Sequence, residues 1–331
     1  MILAAITVDT EPDNVWSNFR SSGLDNIRAL ERFHELMVEW GIPPTYLITH
    51  SVASDPTAVS RLQRFARKGP LEVGAHLHAW ETPPYLRDGS DRQYPVFAHD
   101  LQPELVHEKL QTLTQRIAEN FDEPTSYRAG RFGFVREHIR ILESLGYSVD
   151  SSITPLEDRS EKFGLPPALG GRGGRDYRRA PLEPYHPAYE DDLIPGSSQL
   201  LEVPVTVGPT RSWPGLLPFH RYGPEVLQRV LRKARVSEVV LASPPQYGWP
   251  QLDRLLTTCL HSERTVLNFM LHSSEVMAGG APWIQDDAAL EALYDRLRRC
   301  IVWLRERAQV RFASLAQIPG IFTRPGSQSA C

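Results

Sequence analysis

Residues 71–78 read Leu71-Glu72-Val73-Gly74-Ala75-His76-Leu77-His78, and this stretch decides the fold. A run of strand character over 71–75 passes straight into two histidines two positions apart. In extended backbone, residues i and i+2 face the same way, so both imidazoles can address one centre. The same pattern recurs in both directions along the chain. Residues 2–8 form a short β-rich run that ends in Asp9-Thr10-Glu11. A strand at 126–128 ends in Arg128, one at 147–149 ends beside Asp150, one at 200–207 carries Glu202, and one at 265–271 ends in His272. Helical spacing fills the intervals: 24–40, where Leu24, Ile27, Leu30, Phe33, His34 and Met37 recur and Gly41 stops the helix, then 56–68, 103–121 with Pro103 in its first turn, 135–145, 224–234, 251–261 and a long amphipathic helix over 286–307. Further strands fall at 45–48, 238–242 and 310–313. Strand and helix alternating in this way predict a mostly parallel sheet or barrel. Active groups in such folds collect at the carboxyl ends of strands, which is where the chemically interesting residues stand.

The regularity fails between about 153 and 198, where Pro, Gly and charged residues dominate, and we read an irregular insertion there. We expect a single barrel over 1–315 and a flexible tail over 319–331. A chain of 331 residues is of the size of one α/β barrel with insertions. Its formal charge of -4 and pI of about 6.3 offer no nucleic-acid footprint; the most basic run, 172–179, mixes four arginines with Asp176 and glycines. Cys259, Cys300 and Cys331 are odd in number and far apart, which argues against a disulfide framework or a cysteine zinc site and for a reducing compartment. The N-terminal apolar run is too short for a signal sequence, and no run approaches the roughly 18 residues of a membrane span. The expected address is the cytoplasm.

Two readings compete at each motif. His76 and His78 are either polar residues just past a strand or a pair of ligands. Asp9 and Glu11 are either a solvated acidic turn or two convergent carboxylates, one able to ligate a metal while the other acts as a base; without a cation between them, repulsion would raise a pKa. Arg128 is either a turn arginine or a guanidinium holding a carboxylate in register. His272, after the apolar stretch Asn268-Phe269-Met270-Leu271, is either a buried polar residue or a group at the mouth of the barrel, since Ser273-Ser274-Glu275 open a polar loop behind it.

Taken in order, the motifs resemble those of the NodB-homology polysaccharide deacetylases, family four of the carbohydrate esterases. Thr7-Val8-Asp9-Thr10-Glu11, Glu72 to His78, Tyr127-Arg128-Ala129-Gly130-Arg131-Phe132-Gly133, Gly146 to Ser152 and Leu271-His272 fall where that family carries its five blocks. His76-Leu77-His78-Ala79-Trp80 and His272-Ser273-Ser274-Glu275-Val276 resemble the branch found in surface-polysaccharide gene clusters. The resemblance spans about residues 1–315. It implies a single distorted (β/α) barrel, a divalent metal of the zinc type held by an Asp-His-His set, and removal of an acyl group, N-acetyl by preference, from a sugar. The sequence departs from the pattern at Thr10, where a second aspartate is usual, and at Trp80, where a second histidine is usual. Glu11 and His78 are the nearest replacements, so we expect the metal on Glu11, His76 and His78. In this scheme Asp9 is the base, Arg128 holds Asp9, Asp150 holds Arg128, and His272 protonates the leaving group, with exchanged roles for Asp9 and Glu11 as the alternative. A backbone N–H near Gly130 is a candidate oxyanion donor. The expected substrate is an acylated sugar, nucleotide sugar or lipid-linked saccharide. A metal-independent amidohydrolase acting on a non-sugar amide and a non-catalytic sugar-binding protein are the alternatives.

Overall fold

A computed structural model describes residues 1–13, 15–16, 19–211, 213, 216–234 and 236–322. Its ten strands are β1 (Ile2–Thr10), β2 (Thr45–Ile48), β3 (Glu72–Leu77), β4 (Ser126–Ala129), β5 (Val149–Asp150), β6 (Leu201–Glu202), β7 (Val207–Pro209), β8 (Val239–Leu241), β9 (Val266–His272) and β10 (Val310–Phe312) among the described residues. β1 is the hub. One of its edges pairs with β9 from Leu3 to Asp9, while its other edge is shared by β10 at Ile2–Ala4 and β2 at Thr7–Thr10. The sheet continues in parallel through β3, β4, β5 and β6. It curls until the chain beyond β6 meets β9 again: Thr206 N donates to Asn268 O (3.0 Å), Ala242 N to Thr206 O (2.7 Å), and Met270 N to Ala242 O (3.0 Å). The fold is a single distorted (β/α) barrel.

The expected strand at 200–207 is two strands. Pro204 has no N–H to give to a ladder, so β6 ends before it, and β7 pairs antiparallel with β8 in a separate ribbon. Short helices at His50–Ser54, Ser90–Gln93 and Leu216–Tyr222 were not expected; one to two turns is too short to establish a helical period. Within 153–198 the chain makes a 3-10 turn at Pro167–Leu169 and isolated bridges such as Asp158 to Asp176. Of the expected flexible tail, residues 319–321 lie in the short helix Ile318–Ile321, while 323–331 lie outside the described residues. Cys259 and Cys300 are free and buried. No helix among the described residues is long and apolar enough to cross a membrane.

Alternation along the strands divides the core in two. Outward residues of β1 and β2 (Ile6, Val8, Tyr46, Ile48) pack on helix Asp25–Glu39 through Ile27, Leu30, Phe33 and Met37, and on helix Pro56–Lys68. That second helix starts cleanly because Pro56 occupies its first turn and Asp55 caps it, accepting from Ala58 N at 2.7 Å. Inward residues Leu3, Ala5, Leu47, Val149, Leu201, Val203 and Val266 plug the amino-terminal end of the barrel together with Leu315. Glu72, the first residue of β3, sits at this end too. It accepts from Thr45 Oγ1 and Ala316 N (both 2.9 Å) and closes the barrel floor, away from the chemistry.

The segment that follows His78 is tied down by one buried ion pair. Lys109, on helix Pro103–Ala118, donates to Asp91 (2.9 Å) and to Thr82 O (2.7 Å), and both charged side chains are fully buried. Removing one member strands the other charge. Lys109→Met is therefore expected to lower unfolding free energy by about 3–5 kcal/mol, whereas Lys109→Met with Asp91→Leu recovers most of the loss. Urea titration of the two variants checks this.

Candidate active site and metal centre

Above the apolar plug the barrel interior turns polar in layers. Thr7, Asp9 and Glu11 are the inward residues at the end of β1, and Thr10 falls between them on the other face, its hydroxyl bonded to Val8 O at 2.9 Å. On β3 the inward residues are Gly74 and His76, and His78 follows in the same phase. This parity is the physical reason the second carboxylate and the second imidazole each stand two positions along. Register aligns the rest: Asp9 is opposite His272 on β9, and His76 opposite Arg128 on β4. Gly130, just past β4, allows that strand end to pass under the imidazole; a Cβ there would lie 2.5 Å from Leu77 O and 2.8 Å from the His78 ring.

Arg128 crosses the barrel fully buried, with each of its three nitrogens hydrogen-bonded. Nη1 meets Asp9 Oδ1 at 2.5 Å, Nη2 donates to Thr7 Oγ1 and Ser151 Oγ (both 2.9 Å), and Nε donates to Ser151 O (2.8 Å). Asn268 Nδ2 completes the layer on Ser151 Oγ at 2.9 Å. Asp150, expected to hold Arg128, does not touch it. Its side chain lies on the opposite face of its strand from Ser151, bonded to Ser152 Oγ at 2.5 Å and aligned with Glu202 on β6. Burial pushes the Asp150 carboxyl up to about 6, and burial together with Asp150 pushes Glu202 well above the carboxylate range. The pair lies outside the lining of the cavity, and Ser151 takes the place in the guanidinium network that the sequence suggested for Asp150.

Four groups ring the cavity floor around Glu11. His78 Nε2 lies 3.0 Å and His76 Nε2 3.7 Å from Glu11 Oε2; His76 Nε2 lies 3.8 Å from Asp9 Oδ2; His272 Nε2 lies 3.9 Å from Asp9 Oδ2 and 4.0 Å from Glu11 Oε1. Burial alone would raise the Glu11 carboxyl, but His272, His76 and His78 hold it well below the usual range. Asp9 is likewise lowered, burial being outweighed by Arg128, His76 and His272. Burial would lower His272, yet Glu11, the hydrogen bond to Glu275 and Asp9 raise it to about 9.

Glu11, His76 and His78 also form, among the described residues, the group whose ligand atoms gather within 4.8 Å of one another. Donor atoms at zinc bonding distance from a tetrahedral centre stand about 3.3 Å apart, and the separations of 3.0 and 3.7 Å bracket that figure. Glu11 Oε1 is buried with no hydrogen-bond partner among the described residues. His76 Nδ1 is 2.9 Å from Arg128 O, which fixes the tautomer with a proton on Nδ1 and turns the Nε2 lone pair toward the centre. Trp80, in place of the second histidine of the resembled pattern, stacks on His78 at 4.2 Å between ring centroids and donates to Phe19 O (3.0 Å), clamping the imidazole. The residues present fit a divalent cation.

Several site residues escaped the sequence reading. Glu275 accepts from His272 N (2.7 Å) and faces its Nδ1 (3.3 Å), while its other oxygen accepts from Trp283 Nε1 (2.8 Å). The His-x-x-Glu spacing was the available signal. Trp16 packs edge-on to both His272 and Trp283 at 4.5 and 4.7 Å; no local pattern marks it. His272, Trp16 and Trp283 line a cavity of about 990 Å³, whose walls also include Phe19, Trp80 and Tyr247. Trp80, Tyr247 and Trp283 reach this cavity, whereas Trp213 is exposed and does not line it.

No family model matches the chain, and no curated protein matches it in sequence. Solved structures do. A protein described as a polysaccharide deacetylase from Mycobacterium smegmatis superposes with a TM-score of 0.56 at 14% identity over 98% of this chain and 94% of that one. A protein described as a glycoside hydrolase/deacetylase from Parabacteroides distasonis gives 0.56 at 14% identity over 97% and 70%. The 4-alpha-glucanotransferase from Thermococcus litoralis gives 0.52 at 10% identity over 97% and 40%. Identities this low carry the fold and no more: the chain is built on the distorted (β/α) barrel that these carbohydrate-active proteins share.

Proposed function

We propose that this protein is a metal-dependent hydrolase that removes an acyl group, N-acetyl by preference, from a sugar or sugar-containing intermediate. The observation that carries the reading is the convergence of a three-residue donor set (Glu11, His76, His78) with an arginine-clamped carboxylate on one side and a carboxylate-backed histidine on the other. Pure sugar binding has no use for a buried acid and base facing each other across such a set.

A divalent ion, zinc by preference, held by Glu11, His76 and His78 would polarise the acyl carbonyl and acidify the attacking water. The protein's own groups do the rest. Arg128 fixes Asp9 through Oδ1 and keeps it ionised, leaving Oδ2 toward the cavity to accept the proton of the water. His272 enters the reaction protonated, held so by Glu11, Glu275 and Asp9, and delivers its proton from Nε2 to the departing nitrogen or oxygen. Asp9 and His272 thereby hold the opposite protonation states that general base and general acid require. The aromatic walls exclude water and suit the apolar faces of a sugar ring.

The test is acyl release from a panel of N- and O-acylated sugars, nucleotide sugars and lipid-linked saccharides, followed by acetate and free-amine assays. Release is expected to vanish on chelation and to return with Zn2+. Hydrolysis of a non-sugar amide that survives chelation would replace this reading with the metal-independent one.

A further inference from the structure

One surface segment has a chemistry unlike the rest of the chain. Residues 211–235 contain six Lys and Arg and a single acid, Glu225, for a net +5 in a protein whose total is -4. Two consecutive helices, Leu216–Tyr222 and Glu225–Lys233, occupy most of it. Leu216 and His220 are buried and anchor the first helix, with the His220 ring 3.2 Å from Ser237 Oγ. The second helix leaves three of its apolar side chains in water, while Leu231 is half-buried. Val226 is 71% exposed, Leu227 51% and Val230 53%; Tyr222 at 67% and Trp213 at 53% flank them. These are five of the eleven large apolar side chains exposed among the described residues, which makes the exposure a patch and not a scatter. Val226 and Val230 are one helical turn apart with Leu227 alongside, so they share a face. The patch borders the functional cavity, because His220, Arg229, Ser237 and Glu238 line that cavity's wall.

We propose that the 213–233 segment docks the protein on an anionic lipid surface, with the cavity opening beside the contact. Apolar side chains on an amphipathic helix enter the boundary between headgroups and acyl chains while flanking Lys and Arg meet the lipid charge. Each cation near such a surface strengthens binding about fivefold, an effect that salt removes. A second copy of the chain is the poorer occupant: a two-fold pair would set this segment against itself, +3 facing +3 over residues 213–233. Resting on the hydrolase reading, the docking names the substrate class as an acylated saccharide carried on a lipid anchor at that surface.

The experiment is vesicle flotation of the full chain with phosphatidylcholine alone and with phosphatidylcholine mixed with phosphatidylglycerol, at low and raised salt. Binding is expected with the anionic vesicles only and is expected to fall as salt rises. Leu227→Glu combined with Val230→Glu is expected to weaken it at least about tenfold, with Tm and circular dichroism unchanged. His76→Ala is expected to float like the wild type, so docking and the hydrolase reading fail separately. Absence of binding, equal binding to both vesicle types, or undiminished binding of the double variant overturns the proposal. So does a lipid-free dimer that the same substitutions dissociate, which would make the patch an interface between copies.

Discussion

Replacing His272 with alanine is expected to lower kcat by about 10²–10⁴-fold while bound metal is retained. The expectation follows from where the ring stands. Its Nε2 faces Asp9 and Glu11 at 3.9 and 4.0 Å, it is not a member of the Glu11–His76–His78 donor set, and its Nδ1 is turned to Glu275. The charge state gives a second readout. With Glu11 ionised and unliganded, the imidazolium persists to about 9; with Glu11 committed to a cation, that contribution falls away. The alkaline limb of the kcat profile is therefore expected between the unperturbed 6.5 and about 9. Activity is full below the limb and is lost as pH rises through it, because the acid has given up its proton. Glu275→Gln keeps the shape of the contact but removes a charge, so it is expected to move the limb downward. Loss of metal from His272→Ala would make the residue a ligand.

Asp9→Asn is expected to be as damaging, by about 10²–10⁴-fold in kcat, and again without loss of metal. The amide keeps a hydrogen-bond acceptor for Arg128 but no longer takes a proton. Glu11→Gln is expected to differ in kind, because it weakens metal binding itself. The neighbours differ in their contacts: Asp9 Oδ1 is taken by Arg128 at 2.5 Å, whereas Glu11 Oε1 has no hydrogen-bond partner among the described residues and Oε2 lies between two imidazoles. If the two variants exchange phenotypes, so do the two roles.

The barrel and the inward phase of β1 and β3 were legible because alternation is local: reading every second residue sends Asp9, Glu11, His76 and His78 to one side. Long helices with caps were legible for the same reason. What failed depended on contacts distant in sequence. Asp150 was paired with Arg128 from its strand-end position and the resembled fourth block, yet one residue of phase separates it from Ser151, which makes the contact. The closure of the barrel through Thr206 and Ala242 leaves no pattern, since it is made by single hydrogen bonds from irregular chain. The basic segment at 211–235 was passed over in favour of 172–179 because its cations are interspersed with apolar residues. A criterion of consecutive charge misses such a segment, whereas the helix Glu225–Lys233 presents Val226, Leu227 and Val230 on one face.

Metal content of the purified chain and its variants tests the central claim most directly. After loading with Zn2+ and removal of excess, the wild-type protein and Asp9→Asn are expected to retain one equivalent in order of magnitude (about 1 per chain). His76→Ala and His78→Ala are expected to retain essentially none while keeping the wild-type circular dichroism spectrum. Unchanged metal content in both histidine variants would contradict the account.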